Sequence, residues 1–287
     1  MSVEVVDCVT LDEFWGVISP IGERFGRPHA SFIFRGQWDS ELKLVPKVFR
    51  PEVINKYKRG MMATLSDPPG QSFFELSLLK DFISYCDETG LAIPGDATGF
   101  RRYVDKIMDK LAVNNRAWPE ERIWPLMALA QHHGIPTRLL DWSSNPYVAS
   151  YHAAATAVAK GKAKLKGSEK IALFALALNG LHKATELKHV KVPGNTSPNI
   201  APQGGSFILV DNFGSRGIAF TPEVSMESKL PDHVKLLTKV TLPTMLAGDL
   251  LLRCDKFKIS AASVFPGYDG NAKAVLEWRL AFHFNEE

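Results

Sequence analysis

Two periodicities divide most of the chain into strands and helices. Short apolar runs, or alternation of apolar and polar residues, are typical of strands buried on one or both faces. Apolar residues recurring every three or four positions are typical of helices that bury one face. The predicted strands are 2–9, 31–36, 170–178, 205–210 and 233–242. The predicted helices are one that starts after Thr10 and then 71–90, 100–113, 119–133, 145–162, 245–257 and 270–280.

Local signals indicate where several of these elements begin and end. Thr10 and Glu13 have the spacing of a capping box, in which each side chain bonds a free amide of the first helical turn. Gly90 stands where the helix 71–90 should end. Residues 181–204 are rich in Pro, Gly and Asn and predict a long surface loop. A second polar loop is predicted at 134–146.

The order of the elements predicts the fold class. A strand is followed by a helical section at about 71–133, then by further strands and two late helices. This order lacks a regular strand–helix alternation, so it favours an α+β fold with a mixed β-sheet flanked by helices. We expect residues 1–287 to form one domain, since no internal repeat divides the chain.

Composition narrows the class of protein only slightly. The 287 residues are 45% hydrophobic and 23% charged, with a net charge of +3, which is typical of a folded globule. This mild charge neither requires nor excludes a nucleic-acid partner. Cys8, Cys86 and Cys254 lie far apart and match no metal-binding spacing, so we expect reduced core thiols. The first residues lack the pattern of a signal peptide and no apolar run is long enough to span a membrane, so a cytoplasmic location without a membrane partner is expected.

Arg35 is the first candidate for a binding residue. It lies at the end of a buried-looking strand, where rigid backbone meets an open loop, and its guanidinium suits a phosphate or a carboxylate. Gly36 follows it and would let a ligand approach the backbone. The alternative is that Arg35 forms a structural ion pair with an acidic side chain.

His132 and His133 end the helix 119–133 and are candidate catalytic bases. Adjacent helical residues point about 100° apart, so at most one of the two should face a pocket. The pair lacks the i, i+4 spacing of a metal motif, and we predict no metal site. Capping of the last helical carbonyls is the structural alternative.

The segment after Pro136 contains five more candidates. Asp141 is a candidate catalytic residue, although it could also cap the next helix, as could Ser144. An Arg138–Asp141 pair could serve only as scaffold, and Trp142 could cover the core or stack on a base. The candidates for substrate or phosphate binding here are Thr137, Arg138, Trp142 and Asn145.

Gln203 precedes two glycines and the strand 205–210. Glycines ahead of a strand can let a ligand approach the backbone, but the segment lacks the spacing of a phosphate-binding loop. Gln203 is therefore a candidate for ligand binding without a motif of its own.

Four stretches together resemble the FRG domain family. They are "FRGQWDSELKLVPKVFR" (34–50), "ALAQHHGIPTRLLDWSSNPYVASYHAA" (128–154), "APQGGSF" (201–207) and "SVFPGYDGNAKAVL" (263–276). The second contains the most distinctive run of the family, Gln-His-x-Gly-x-Pro-Thr-Arg-Leu-Leu-Asp-Trp, and the resemblance spans roughly 30–276. His152 departs from the family pattern, because relatives usually carry Phe there; it either adds polarity to a pocket or is neutral.

The resemblance implies a bacterial or phage-borne effector with a toxin or phage-defence role, for which a partner such as an antitoxin or a defence-system component is expected. The segment around Arg35 also resembles the first motif of ADP-ribosyltransferases, in which a strand-borne Arg grips the phosphates of a dinucleotide. Neither a clear Ser-x-Ser strand motif nor a Glu/Gln-x-Glu loop accompanies it, and Glu223 and Glu277 are weak candidates for a catalytic acid. The family motifs contain the residues of the implied site: Arg35, Gly36, His132, Gly134, Thr137, Arg138, Asp141, Trp142, Asn145 and Gln203.

These observations lead to one spatial prediction and three functional ones. Arg35, one of the two histidines, Arg138 and Asp141 should converge in a net positive pocket that attracts an anion, because isolated buried charges are too costly. The leading hypothesis is an ADP-ribosyltransferase-like enzyme that acts on NAD or another nucleotide-bearing substrate. The alternatives are a metal-independent nuclease or RNA-binding effector, and a non-catalytic recognition module.

Overall fold

The computed structural model describes residues 3–27, 29–58, 70–113, 118–165, 169–212 and 220–286. The described residues form one seven-stranded sheet in the order β1-β7-β4-β2-β3-β6-β5, with helices packed on both faces. The β1–β7 pair is parallel and the other pairs are antiparallel, which confirms an α+β fold with a mixed sheet. The strands are β1 Val3–Asp7, β2 Phe32–Gln37, β3 Leu139–Ser143, β4 Lys170–Ala177, β5 Leu187–Val190, β6 Gly205–Val210 and β7 Leu237–Pro243.

Helices from the whole length of the described chain pack around this sheet. In the range 70–132, the described residues include the 3-10 turn Glu121–Ile123, which comes directly before the last helix of this range. The α-helices are α1 Leu11–Val17, α2 Pro51–Tyr57, α3 Gly70–Thr89, α4 Thr98–Val113, α5 Trp124–His132, α6 Pro146–Lys160, α7 Ala247–Lys256, α8 Ala261–Val264 and α9 Tyr268–Glu286. The predicted helix 119–133 begins later than expected, because Glu121–Ile123 forms the 3-10 turn and α5 starts at Trp124.

Most end signals in the sequence act as expected. Thr10 accepts a hydrogen bond from the Glu13 amide at 3.2 Å and caps α1. The Glu13 carboxylate accepts a hydrogen bond from the Val9 amide at 2.9 Å, whereas a capping box would have it accept from the Thr10 amide. Gly90 follows α3 with a φ of +70°, a conformation that favours glycine.

Two predicted loops contain strands, and both predictions are corrected. Within 134–146, residues 139–143 form the interior strand β3, in which Leu140 and Trp142 enter the core on one face. Polar Asp141 interrupts the apolar run and hides the strand pattern. Within 181–204, Leu187–Val190 forms the edge strand β5, and only its first and last residues are buried. A four-residue edge strand provides too short a pattern to distinguish it from the Pro-rich segment that follows.

The junction between β2 and β3 positions the site. These strands are joined by a single paired position, Phe34 with Ser143, whereas β2 pairs with β4 along its whole length. The Ala-rich helix α6 packs over β2 and β4. A short gap between β2 and β3 is therefore left beneath α6, in the middle of the sheet.

Candidate functional site

A cavity of about 340 Å³ opens at this gap. It lies within the usual size range of small-ligand pockets, near its lower end. Its walls come from β2, β3, the end of α5, one face of α6 and the segment before α9. The polar groups in its lining belong to Arg35, Gln131, His132, Asp141, Ser143, His152, Thr156 and Gln203.

Arg35 spans the gap between β2 and β3. Its Nη1 donates to the Asp141 carbonyl at 2.7 Å and lies 3.8 Å from the Asp141 carboxylate oxygen Oδ2. Its Nε is buried without a hydrogen-bond partner among the described residues. Burial lowers the pKa of Arg35 and Asp141 opposes this effect, but an arginine remains a cation at neutral pH. Arg35 therefore brings one positive charge and one unused donor to the cavity wall.

Asp141 is held on one side and open on the other. Its Oδ1 accepts a hydrogen bond from Gln131 Nε2 at 2.7 Å, and its side chain is 58% exposed. Gln131 in turn accepts a hydrogen bond from the hydroxyl of Thr137, a residue that is 3% exposed. The carboxylate can therefore accept hydrogen bonds from a ligand hydroxyl or stabilise a developing positive charge.

The two adjacent histidines have different environments. His132 lines the cavity, and its Nε2 is buried with no partner among the described residues. Burial lowers the pKa of His132 and so favours a neutral imidazole. The nearby charge of Asp141 opposes this effect but is the smaller of the two. His133 is exposed, caps α5 with its backbone amide and lies 6.5 Å from the Phe82 ring. The structure thus brings His132 to the site and leaves His133 outside it.

His152 is a site residue that was not included among the predicted ones. It lies on α6 above β2, and its ring is 6.0 Å from that of Phe265. Burial lowers the pKa of His152 to about 4, so the imidazole is neutral at pH 7. Its position three residues after Ala149 on the helix face that packs against β2 is the signal that could have identified it. Of the two alternatives considered for His152, the structure therefore supports the one in which its polar side chain lines a pocket. Gln131 was also missed, although it stands one residue before His132 in the family motif.

Trp142 and Gly36 line the cavity for structural reasons. Trp142 is 3% exposed and packs in the core cluster with Leu140 and Ile33. Gly36 was expected to make room for a ligand, but a Cβ at this position would lie 1.9 Å from the Ala149 carbonyl oxygen. The absent side chain therefore makes room for α6.

Gln203 closes the cavity at the end of β3. Its backbone carbonyl accepts a hydrogen bond from Ser143 Oγ at 2.6 Å. Its side-chain Nε2 donates to the Val264 carbonyl at 3.3 Å. These bonds connect β3 to the segment that carries Phe265. Gln203 is thus placed both to line the cavity and to support its wall.

Arg138 does not reach the cavity, and the prediction that it shares a pocket with Arg35 is corrected. Its side chain is fully buried and binds Glu75 through Nε at 2.8 Å and Nη2 at 2.9 Å. Trp118 Nε1 donates to the same carboxylate at 2.9 Å. Sequence analysis had no signal for Glu75, which lies on a helix 63 residues away. The predicted positive pocket is corrected with it, because Arg35 and Asp141 balance each other.

The remaining candidates support the site or lie elsewhere. Asn145 accepts from the Tyr147 amide at 2.9 Å and is the N-cap of α6, a role that had been considered for Asp141 and Ser144. Glu277 accepts from the Tyr151 hydroxyl at 2.8 Å, and neither it nor Glu223 lines this cavity. Gly134 has a φ of +92° and forms the turn after α5.

The described part of the chain contains neither a metal-binding cluster nor a membrane-spanning helix. No group of three or more His, Cys, Asp or Glu side chains in these ranges could hold a metal ion. No helix in the same ranges combines the length and apolarity needed to cross a membrane. Cys8, Cys86 and Cys254 are free and buried, as expected for core thiols.

Comparison with known proteins identifies a family. Residues 30–162 match the model of the FRG domain. No curated protein and no solved structure matches the chain. The matched range includes Arg35, Gln131, His132, Asp141 and His152, whereas the extension of the resemblance to residue 276 stays a prediction. This match supports an assignment of residues 30–162 to the FRG domain family.

Proposed function

We propose that this protein binds NAD or another nucleotide-bearing substrate in the cavity between β2 and β3 and acts on it as an ADP-ribosyltransferase-like enzyme. The setting that we propose is a toxin or anti-phage defence effector in the bacterial cytoplasm, with an antitoxin or a defence-system component as its partner. The FRG domain match supports this setting through the family resemblance alone. The substrate class is supported by the geometry of the cavity.

The observation that carries the proposal is the arrangement of Arg35 and Asp141. One guanidinium with an unused Nε and one half-open carboxylate lie 3.8 Å apart at the cavity wall. A ligand with both phosphates and hydroxyl groups complements such a pair, because guanidinium binds phosphate and carboxylate accepts from hydroxyls. NAD has both kinds of group, and its nicotinamide ring adds a positive charge that a carboxylate attracts.

These residues can be assigned roles in the proposed reaction. Arg35 would bind the phosphates, while Asp141 would accept from a ribose hydroxyl and stabilise positive charge as the bond from ribose to nicotinamide breaks. The bonding electrons leave with nicotinamide, which departs as a neutral molecule and needs no proton. The ribose carbon then forms a bond to the oxygen of water, or to a nucleophilic atom of the target, whose proton passes to solvent. Neutral His132 and His152 would then act as hydrogen-bonding groups rather than as acids.

The nuclease alternative is favoured by one observation and opposed by another. His132 has an unpartnered Nε2 at the cavity, as a general base requires. Cleavage of a phosphodiester also needs an acid for the leaving oxygen, and burial lowers the pKa of both His132 and His152. Neither imidazole is therefore suited to be that acid at neutral pH. NAD chemistry remains the better proposal.

Incubation of the purified protein with labelled NAD and cell lysate tests the proposal. We expect label transfer or NAD loss, together with a rise in melting temperature on adding NAD. Arg35→Ala should abolish these effects, because the phosphate partner is lost. Arg24→Ala is a matched control, since it removes an equal charge from an exposed ion pair with Glu4 that does not line the cavity.

Three results would count against the proposal. No NAD loss, label transfer or thermal shift in the wild-type protein would reject it. RNA cleavage that disappears in His132→Ala would favour the nuclease instead. Loss of cell toxicity in Arg35→Ala together with a melting temperature lower by several degrees, and no NAD turnover in the wild-type protein, would favour a non-catalytic recognition module.

A further inference from the structure

A chain of three hydrogen bonds connects the start of β3 to the cavity. The Leu139 amide donates to Thr137 Oγ1 at 3.1 Å, and the Thr137 hydroxyl donates to Gln131 Oε1. Gln131 Nε2 then donates to Asp141 Oδ1 at 2.7 Å. The chain therefore begins at the backbone of β3 and ends on a carboxylate of the same strand.

The direction of these bonds is determined by the chemistry of their ends. A carboxylate only accepts hydrogen bonds, so Gln131 must present its NH2 group to Asp141. Its carbonyl oxygen then faces Thr137, whose hydroxyl already accepts from Leu139 and can donate to it. With the amide reversed, the Gln131 oxygen would face the Asp141 oxygen and the two would repel.

The buried end of this series of hydrogen bonds, at Thr137, keeps its exposed end, at Asp141, in place. Thr137 is 3% exposed, while the Asp141 side chain is 58% exposed. A long glutamine side chain alone would lose much conformational freedom on binding Asp141. Thr137 holds its far end, so the carboxylate is held with Oδ1 occupied and with Oδ2 on the side of Arg35.

We infer that Gln131 is a positioning residue that orients Asp141 toward the ligand, and that Thr137 fixes Gln131 in that role. The inference rests on the proposed function for the identity of the ligand, but not for the orientation of Asp141. It assigns Asp141 Oδ2 as the carboxylate oxygen that meets a ribose hydroxyl. Gln131 itself acts through Asp141.

Three variants test this inference. Gln131→Ala removes the contact, and Thr137→Val keeps the shape of Thr137 without its hydroxyl. Thr137→Ser keeps the hydroxyl and loses only the methyl group, so it is the matched control. We expect Gln131→Ala and Thr137→Val to lower NAD affinity or turnover by about tenfold to a hundredfold, since small misplacements of a reacting group have effects of that order. Thr137→Ser should stay close to the wild-type protein.

A second measurement does not depend on NAD. The 13C resonance of the Asp141 carboxyl group and the side-chain NH2 resonances of Gln131 report their contact in the ligand-free protein. We expect Thr137→Val to move both and Thr137→Ser to leave both in place. Unchanged resonances in Thr137→Val would overturn the inference, whether or not NAD binds. If the resonances move while the wild-type protein ignores NAD, the proposed function fails and the orientation of Asp141 stands.

Discussion

At the residue scale, burial determines the charge states around the cavity. Arg35 keeps its charge, and Asp141 keeps an open side toward solvent. His152 lies between Phe265 and the sheet, where an imidazolium would lose much of its hydration. The site therefore combines one charged pair with neutral imidazoles, a combination that suits hydrogen bonding to a polar ligand.

This state of His152 predicts a dependence of stability on pH. Burial lowers the pKa of His152 to about 4 in the folded protein, against about 6.5 for an unfolded histidine. Between these two values the unfolded chain binds more protons, so the free energy of unfolding should fall as the pH falls through that window. The loss should be on the order of 1–3 kcal/mol.

Urea unfolding at a series of pH values between 7 and 4 measures this effect. His152→Phe removes the titrating group, so its stability should fall less across the window than that of the wild-type protein. The exposed residue His182 provides the control, and His182→Phe should follow the wild-type curve. Parallel curves for His152→Phe and the wild-type protein would contradict a buried neutral imidazole.

At the element scale, the contact of α6 with β2 holds the cavity open. Gly36 allows the α6 backbone to approach the strand, and Arg35 crosses from β2 to β3 beside it. The range that matches the FRG domain includes this Phe-Arg-Gly segment. In this chain its glycine is required by packing, while its arginine faces the candidate site.

Gly36→Ala should therefore destabilise the protein. Its Cβ would lie 1.9 Å from a backbone oxygen of Ala149, so α6 must shift. We expect a loss of about 1–3 kcal/mol or more in the free energy of unfolding, as for other overpacked sites. Gly16→Ala is the matched control, because nothing lies within 4 Å of its added Cβ. In helix α1 that change should stabilise the protein by up to about 1 kcal/mol. Equal stabilities of the two variants in chemical denaturation would contradict this packing.

At the scale of the whole molecule, a buried ion pair attaches the central helices to the sheet. Glu75 of α3 binds Arg138, which precedes β3, and Trp118 and Gln71 donate to the same carboxylate. All four of these side chains are buried, so the Glu75 carboxylate and the Arg138 guanidinium each need the other to offset their lost hydration. The position of β3 therefore depends on the helices of residues 70–132.

Removal of one partner should be much more costly than removal of both. Arg138→Ala leaves Glu75 buried and unpaired, and we expect a loss of about 3–5 kcal/mol in the free energy of unfolding. Glu75→Leu combined with Arg138→Met should recover most of this loss, because neither charge remains. Arg24→Ala, which breaks an exposed pair, should cost no more than about 1 kcal/mol. Denaturant unfolding of the three proteins measures these differences, and a small loss in Arg138→Ala would refute the role of the pair.

Much of the architecture was determined by local sequence patterns. Periodicity identified the strands around Phe34, Phe174 and Phe207 and the helices around Phe74 and Tyr151, because each buries an apolar face within a few residues. Thr10 and Gly90 act at helix ends through interactions with near neighbours. The motif residues Arg35, His132 and Asp141 were also visible as unusual polar groups in apolar surroundings.

The partners of these residues were decided only by the tertiary structure. Arg35 meets Asp141 across 106 residues, while Arg138 meets Glu75 across 63, and both contacts depend on the order of the strands and helices in space. From sequence alone the two arginines looked equivalent, because each is a cation beside an apolar run. Burial separates them. The Arg138 side chain is 0% exposed and paired with Glu75, whereas the Arg35 side chain is 22% exposed and its Nε has no hydrogen-bond partner in the described part of the chain. Local sequence determines which groups are polar, whereas long-range packing determines which of them remain available to a ligand.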